Sequence, residues 1–316
     1  MSGRLIQLSG VIVDHIYRVE AVPMAGQEAR VLGSSMAAGG GFNAMVAARR
    51  FGMDVVYAGG LGSGPFADIA ARAMRAEGIG ILRPPLAGLD QGCCTTLVDN
   101  DGERTFIAAE GADGWTGDAD LSLVPKVPGD WLLLSGYALS YRNSREALAR
   151  WLDQAQGLQL VLDPSPIIST IPAPILATAC RTALWISANA AEARVLTGET
   201  DPARAAETLA QDRPPHGGAL VRDGARGCHL AQRGRGVLHV PAHPVTAIDT
   251  NGAGDTHIGA FIAACAAGEP PAHAARIANV AAALSTTQEG PSTAPTRETV
   301  LTALAEPQNN FFQRRN

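Results

Sequence analysis

Apolar positions along the chain alternate between two patterns. Short unbroken runs such as Val55-Val56-Tyr57-Ala58, Trp131 to Leu134, Leu160 to Leu162, Trp185-Ile186 and Ala219 to Val221 have the length of strands buried on both faces. Between them lie segments with helical spacing: Ala44 to Phe51, closed by Gly52; Phe66 to Glu77, closed by Gly78; then 144–155, 190–196, 254–267 and 272–285. Strand–helix alternation of this kind predicts a mainly parallel sheet with helices on both faces. The first strand is expected from Leu5 to Val13, ending near Asp14.

Two stretches depart from the alternation. Residues 11–36 are extended and turn-rich, with Pro23 and Gly26 as punctuation. Residues 92–110 read as a hairpin around Asn100-Asp101-Gly102, and a further hairpin is expected around 227–240. The first two stretches have no helix between their own strands, which predicts a small accessory sheet, a lid over the main body. The expectation is one domain over residues 1–316, with a frayed polar tail from Gln308 to Asn316.

Composition narrows the chemistry. Hydrophobic residues make up 46% of the 316, enough for a large core. The net charge of −5 offers no bulk attraction to a nucleic-acid backbone. The single lysine, Lys126, lies in Val-Pro-Lys-Val-Pro, so there is neither a P-loop lysine nor a protein-kinase strand lysine. No apolar run reaches the ~18 residues of a membrane span. Asp14 and His15 interrupt the first apolar stretch before a signal sequence forms, and a cytoplasmic protein is expected. The five cysteines show no Cys-x-x-Cys spacing and read as reduced packing residues; Cys93 and Cys94 point to opposite faces of a strand.

The segment Asp249-Thr250-Asn251-Gly252-Ala253-Gly254-Asp255-Thr256 enters an apolar helix. Small residues before a helix start leave backbone N–H groups accessible, an anion hole by geometry and by macrodipole. Asp255 there can take a hydroxyl proton while the amides of Gly252, Ala253 and Gly254 hold phosphoryl oxygens; taken alone, it reads as well as a helix N-cap. Asn189 and Glu192, at i and i+3, share one face of a helix start, which suits a metal shell or a simple cap.

At these segments the chain resembles the ribokinase, or PfkB-type, carbohydrate kinases. The C-terminal signature is Asp249 to Thr256. The N-terminal one combines a strand ending in Asp14, a glycine cluster with Asn43, and Ala47-Ala48-Arg49-Arg50-Phe51-Gly52. Asn189-Ala190-Ala191-Glu192, followed by Leu196-Thr197-Gly198, matches a further motif, and the likeness runs from about residue 4 to 305. It implies a three-layer α/β sandwich with a small β-sheet lid, and transfer of the γ-phosphoryl of ATP to a hydroxymethyl of a sugar or nucleoside. Asp255 would be the general base, and Asp14, Gly39, Gly40, Asn43 and Tyr137 would line the acceptor site. Arg222, Gly224, Gly227, Gly254, Asn189 and Asn279 would face the nucleotide. Glu192, with Asn189 acting indirectly, would organise magnesium. Asp249 and Asn251, with Ser285, Gln288 and Gly290, resemble a monovalent-cation site for potassium. The lid's open edges suggest a homodimer.

Departures from the family bear on the acceptor. Ile12 is apolar where ribokinases carry Asn, Ala38 replaces the first of a glycine pair, and Tyr137 stands where ribokinase has a sugar-contacting Glu. Arg222-Asp223 replaces Thr and an apolar residue, and His257 replaces Phe and is expected packed and neutral. Two rivals remain: a non-catalytic sugar- or nucleoside-binding relative, and an NAD-dependent dehydrogenase suggested by Gly62-Ser63-Gly64-Pro65-Phe66-Ala67. Pro65 removes a donor from that loop, and Pro241 and Pro244 disfavour a zinc site at His239 and His243.

Overall fold

In the computed structural model, which describes residues 3–155 and 158–306, the apolar runs pair into one nine-stranded sheet. In chain order the strands are β1 (Leu5–Gln7), β2 (Val11–Val19), β3 (Val31–Gly40), β4 (Val55–Tyr57), β5 (Gly80–Ile81), β6 (Cys93–Val98) and β7 (Arg104–Ala109). There follow β8 (Trp131–Ser135), β9 (Gln159–Asp163), β10 (Trp185–Asn189), β11 (Gly218–Arg222), β12 (Cys228–Gln232) and β13 (Gly236–Val240). The large sheet runs β13-β12-β11-β10-β9-β8-β1-β4-β5, parallel from β11 to β5 and antiparallel at the β12–β13 edge.

Successive residues of its central strands feed opposite cores. Leu5, Trp131, Leu133 and Val161 face the helices Gly41–Arg50, Pro65–Ala76, Ala253–Ala266 and Pro271–Ser285. Ile6, Leu132, Leu134, Leu160 and Leu162 face the helices Arg145–Asp153 and Ala173–Thr182. Burial on both faces is why these strands read as unbroken apolar runs. The result is the expected three layers. The helices Ala173–Thr182, Pro202–Ala210 and Arg297–Ala305 escape the sequence reading, because proline at the start of the first two resembles a loop. Among the described residues, no helix is long and apolar enough to cross a membrane. The tail from Gln308 lies outside them.

The second sheet has the order β3-β2-β6-β7 and contains both departures seen in the sequence. One boundary differs from expectation. The strand expected from Leu5 to Val13 is two strands in two sheets, and the turn at Ser9-Gly10 divides them. A Cβ on Gly10 would come within 2.6 Å of Asp113 Cβ, so the chain can bend there only with glycine. Gly39 and Gly40, of the glycine cluster before Asn43, are the last two residues of β3.

The chain crosses between the sheets four times, at Gly10, Gly40-Gly41, Gly92 and Gly111, and the crossings meet in one knot. Buried Asp113 accepts from the amides of Gly92 (2.9 Å) and Gly111 (3.2 Å) and from the Tyr141 hydroxyl (2.9 Å). The Gly41 amide donates to the Gly10 carbonyl at 2.9 Å.

Candidate active site

Three polar side chains stand at the carboxyl ends of adjacent parallel strands: Asp163 on β9, Asn189 on β10 and Arg222 on β11, the last two in direct register. Ligands of open α/β sheets bind at this edge. The fourth contribution comes from two crossing helices. Gly259 of helix Ala253–Ala266 packs so closely on Gly41–Arg50 that a Cβ would overlap the Ala44 carbonyl. This approach sets Asn43 beside Asp255, and Asn43 Nδ2 donates to Asp255 Oδ2 at 3.2 Å. The Asn43 carbonyl oxygen accepts from the amide (3.0 Å) and hydroxyl (2.8 Å) of Ser292. Asn43 is 3% exposed, and these bonds fix its amide in one orientation.

Asp255 lies in the first turn of its helix, whose N-cap, Gly252, has φ 71°. Among the described residues no side chain caps this helix start, and the amides of Gly252 and Gly254 have no acceptor. The Ala253 amide instead turns to the Thr250 carbonyl at 3.3 Å, so it serves the turn more than an incoming anion. Burial, with the charge of Asp163 added, pushes the Asp255 carboxyl up to about 7; Asn43 and Arg222 oppose the shift.

Asp14 reaches the same cleft from β2. A Cβ on Gly39 would overlap its carboxylate, so glycine there clears the space. Burial raises Asp14 to about 6, against a hydrogen bond from the Asn251 side chain. Tyr137, 44% exposed, sits at the start of the short helix Gly136–Ser140. Its phenol is raised by burial and, less, by the charges of Cys94, Asp163, Glu192 and Asp255.

Asn189 and Glu192 form a reciprocal capping box. The Glu192 amide donates to Asn189 Oδ1 at 2.9 Å, and the Asn189 amide to Glu192 Oε2 at 2.8 Å. The cap reading therefore holds, but the carboxylate is buried. Burial and Asp163 raise the Glu192 carboxyl, while Arg222 pulls it down. The guanidinium of Arg222 is the hub: Nη1 donates to the Gly254 carbonyl at 2.9 Å, and Nη2 lies 3.5 Å from Glu192 and 3.7 Å from Asp163. Asp163 escaped the sequence reading. Its signal was a carboxylate closing a central strand just before Pro164-Ser165-Pro166. Glu192, buried, and Asp163, partly exposed, are hard, anionic donors of the kind magnesium takes, and Arg222 stands 3.5 Å or more from both.

In the loop after β11, Gly224 and Gly227 have φ 57° and 97°, and Asp223 holds Arg226 at 2.5 and 2.7 Å. Asn279 lies apart from the cleft residues. Its amide donates to the carbonyls of Val240 (2.9 Å) and Pro241 (3.0 Å), and its oxygen meets His257 Nε2 at 3.0 Å. His257 is buried, and desolvation pushes its pKa down to about 3, so it is packed and neutral. Asp249 is already partnered: Oδ1 accepts from Arg104 (2.8 Å) and the Asn251 amide (2.9 Å), and Oδ2 from the Gly290 amide (3.1 Å). Burial acts to raise Asp249, but these bonds outweigh it and hold the carboxyl below its usual range. The Ser285 carbonyl accepts the Thr293 hydroxyl at 2.8 Å, and among the described residues no hydrogen bond brings the Gln288 side chain to this group.

The dinucleotide reading of residues 62–67 fails on geometry. Asp90 places both carboxylate oxygens on the helix start, accepting from Phe66 (3.2 Å) and Ala67 (2.8 Å), where a pyrophosphate would need to sit. His239 is engaged with the Arg226 carbonyl at 2.8 Å.

The model of the pfkB family of carbohydrate kinases matches residues 8–298. YegV, an uncharacterised sugar kinase of Escherichia coli (strain K12), is 31% identical over 309 residues, covering 94% of this chain and 92% of that protein. Arabidopsis thaliana ribokinase, solved with ribose and ATP, superposes with a TM-score of 0.82 at 22% identity, over 97% of this chain and 100% of that one. Sinorhizobium meliloti adenosine kinase gives 0.82 and 22%, over 96% and 100%. With its strand-end cluster, its uncapped helix start and this match along its length, the chain belongs to the pfkB carbohydrate kinase family and is an ATP-dependent phosphotransferase.

Proposed function

We propose that this kinase phosphorylates a hydroxymethyl group of a sugar, with Asp255 as general base. The observation that carries the reading is the pairing of an uncapped helix start with a carboxylate raised to about 7 inside it. A base poised near neutral pH takes a hydroxyl proton without being permanently protonated. Asn43 holds the Asp255 carboxylate in place, and the Gly252 and Gly254 amides receive the developing phosphoryl charge. Arg222 adds a fixed positive charge behind the Gly254 peptide. Glu192 and Asp163 would hold magnesium, with Asn189 supporting Glu192; the ion neutralises phosphate charge when bound. The loop at Gly224 and Gly227 would receive the nucleotide, with Asn279 acting from behind through the 240–241 turn.

Asp14, with the Gly39-Gly40 backbone, offers a polyol face. Tyr137 supports a second reading, a nucleoside acceptor, since its exposed ring can stack on a base. The small sheet would act as a lid that excludes water, within a single catalytic domain. Exposed Val31, Leu32, Met36, Phe106 and Ile107 on that sheet support a homodimer, which light scattering would reveal.

The test is ADP release with magnesium against pentoses, hexoses and nucleosides. Turnover on one class names the acceptor. Ligand binding without any acceptor-dependent turnover would favour the non-catalytic relative and remove the role of Asp255.

A further inference from the structure

The strap from Asp249 to Gly252 enters the anion hole, and the small sheet grips its first residue: Arg104 of β7 donates to Asp249 at 2.8 Å. A second pair, Arg18 to Glu289 at 3.4 Å, ties β2 to the facing loop. Two residues of the implied potassium site, Asp249 and Ser285, have their oxygens engaged inside the protein. Asp249 is neutralised by a guanidinium and bonded to two amides, Gly290 presents its N–H to Asp249, and the Ser285 carbonyl holds Thr293. A monovalent cation does not fit beside this arrangement, because both oxygens of the one carboxylate of the site are already hydrogen-bonded, one of them directly by a guanidinium at 2.8 Å.

We infer that Arg104 is a built-in counter-cation: it supplies from the small sheet the charge that orders the Asp249–Gly252 strap, making phosphoryl transfer independent of potassium. Arg104 is a positioning residue, acting on the reacting phosphoryl through Asp249 and the Gly252 and Gly254 amides. The inference rests on the kinase reading above. It also means that the anion hole is fully ordered only when the small sheet lies against the body, because the cation travels with that sheet.

The experiment compares wild type, Arg104→Ala and Arg104→Lys as full chains. Each is assayed for acceptor-dependent ADP release in tetramethylammonium buffer with and without added potassium chloride, and melted in the same buffers. Wild type should change rate by less than about twofold on adding potassium, whereas Arg104→Ala should lose about 10- to 100-fold in kcat with a smaller change in acceptor KM. Potassium should restore part of that loss, and Arg104→Lys should restore part without potassium. Potassium should raise the Tm of Arg104→Ala beyond the tetramethylammonium control, and leave wild type level with it. A wild-type rate that climbs about tenfold with potassium overturns the inference, as does an Arg104→Ala enzyme as fast as wild type in tetramethylammonium. If no protein turns over in any salt, the kinase reading falls, and the melting arm still decides whether Arg104 excludes the cation.

Discussion

Two glycine-rich turns lead into helices in this chain, and only one can receive a phosphate. The turn at Gly62–Pro65 is closed by Asp90, whose two oxygens take the first free amides of the helix. The turn at Gly252–Gly254 has no such plug, and its carboxylate, Asp255, stands in the first turn where it can face an incoming hydroxyl. Both starts carry the same macrodipole and the same small residues. A glycine turn before a helix is therefore only a precondition for anion binding; what decides is whether the protein supplies its own anion.

The contrast can be broken at Asp255 first. Asp255→Asn should lower kcat by about 10²- to 10⁴-fold while MgATP binding persists, read by ADP release and by calorimetric titration. Retained activity would demote this turn to the status of the other. Next, Gly254→Ala and Gly64→Ala form a matched pair. A Cβ at 254 would lie 2.8 Å from Arg222 Nη1, and one at 64 would lie 2.5 Å from the Asp90 carboxyl carbon. The first should cost about tenfold or more in kcat with little change in Tm, and the second should lower Tm and leave kcat near wild type. Asp90→Ala should remove a cap worth about 0.5–2 kcal/mol, lowering Tm by a few degrees without touching turnover.

The smallest effects are in pH. The base must be ionised, so kcat/KM should rise with pH through about 7, the value of Asp255. Arg222→Met removes a charge that lowers that pKa and should move the limb to higher pH. Stability runs the other way. The folded pKa lies above the ordinary aspartate value of 3.8, so the protonated carboxyl favours the fold below about 4 and that contribution is lost as pH rises through about 7. Asp255→Asn should therefore raise Tm at pH 8 relative to wild type and give no gain at pH 4, measured by thermal melts.

Much of this was legible in sequence. The two-sided apolar runs gave away the buried strands; Asn43 and Asp255, far apart in the chain, converge because helices Gly41–Arg50 and Ala253–Ala266 touch at Gly259, and Asp14 has room beside β3 because residue 39 is glycine. Other features were hidden because their meaning lies in pairings. Asp163 drew no attention in the sequence, because only the folding of β9 and β11 sets it beside Arg222. Asp90 showed no role until its loop folded over a helix 24 residues earlier in the chain. Asn279 was expected to face the nucleotide, but its amide is spent on carbonyls 38 and 39 residues away. Arg104 gave no signal in a polar hairpin, since its partner lies 145 residues away.

The four crossings at Gly10, Gly40-Gly41, Gly92 and Gly111 carry a consequence for how such an enzyme can change over generations. The small sheet is assembled from two separate pieces of the gene, and both return through the knot around Asp113. A single exchange can move it whole only by carrying residues 11–111 together, with β4, β5 and the helices Gly41–Arg50 and Pro65–Ala76 that belong to the main body, because either piece alone leaves β2 or β6 without its partner.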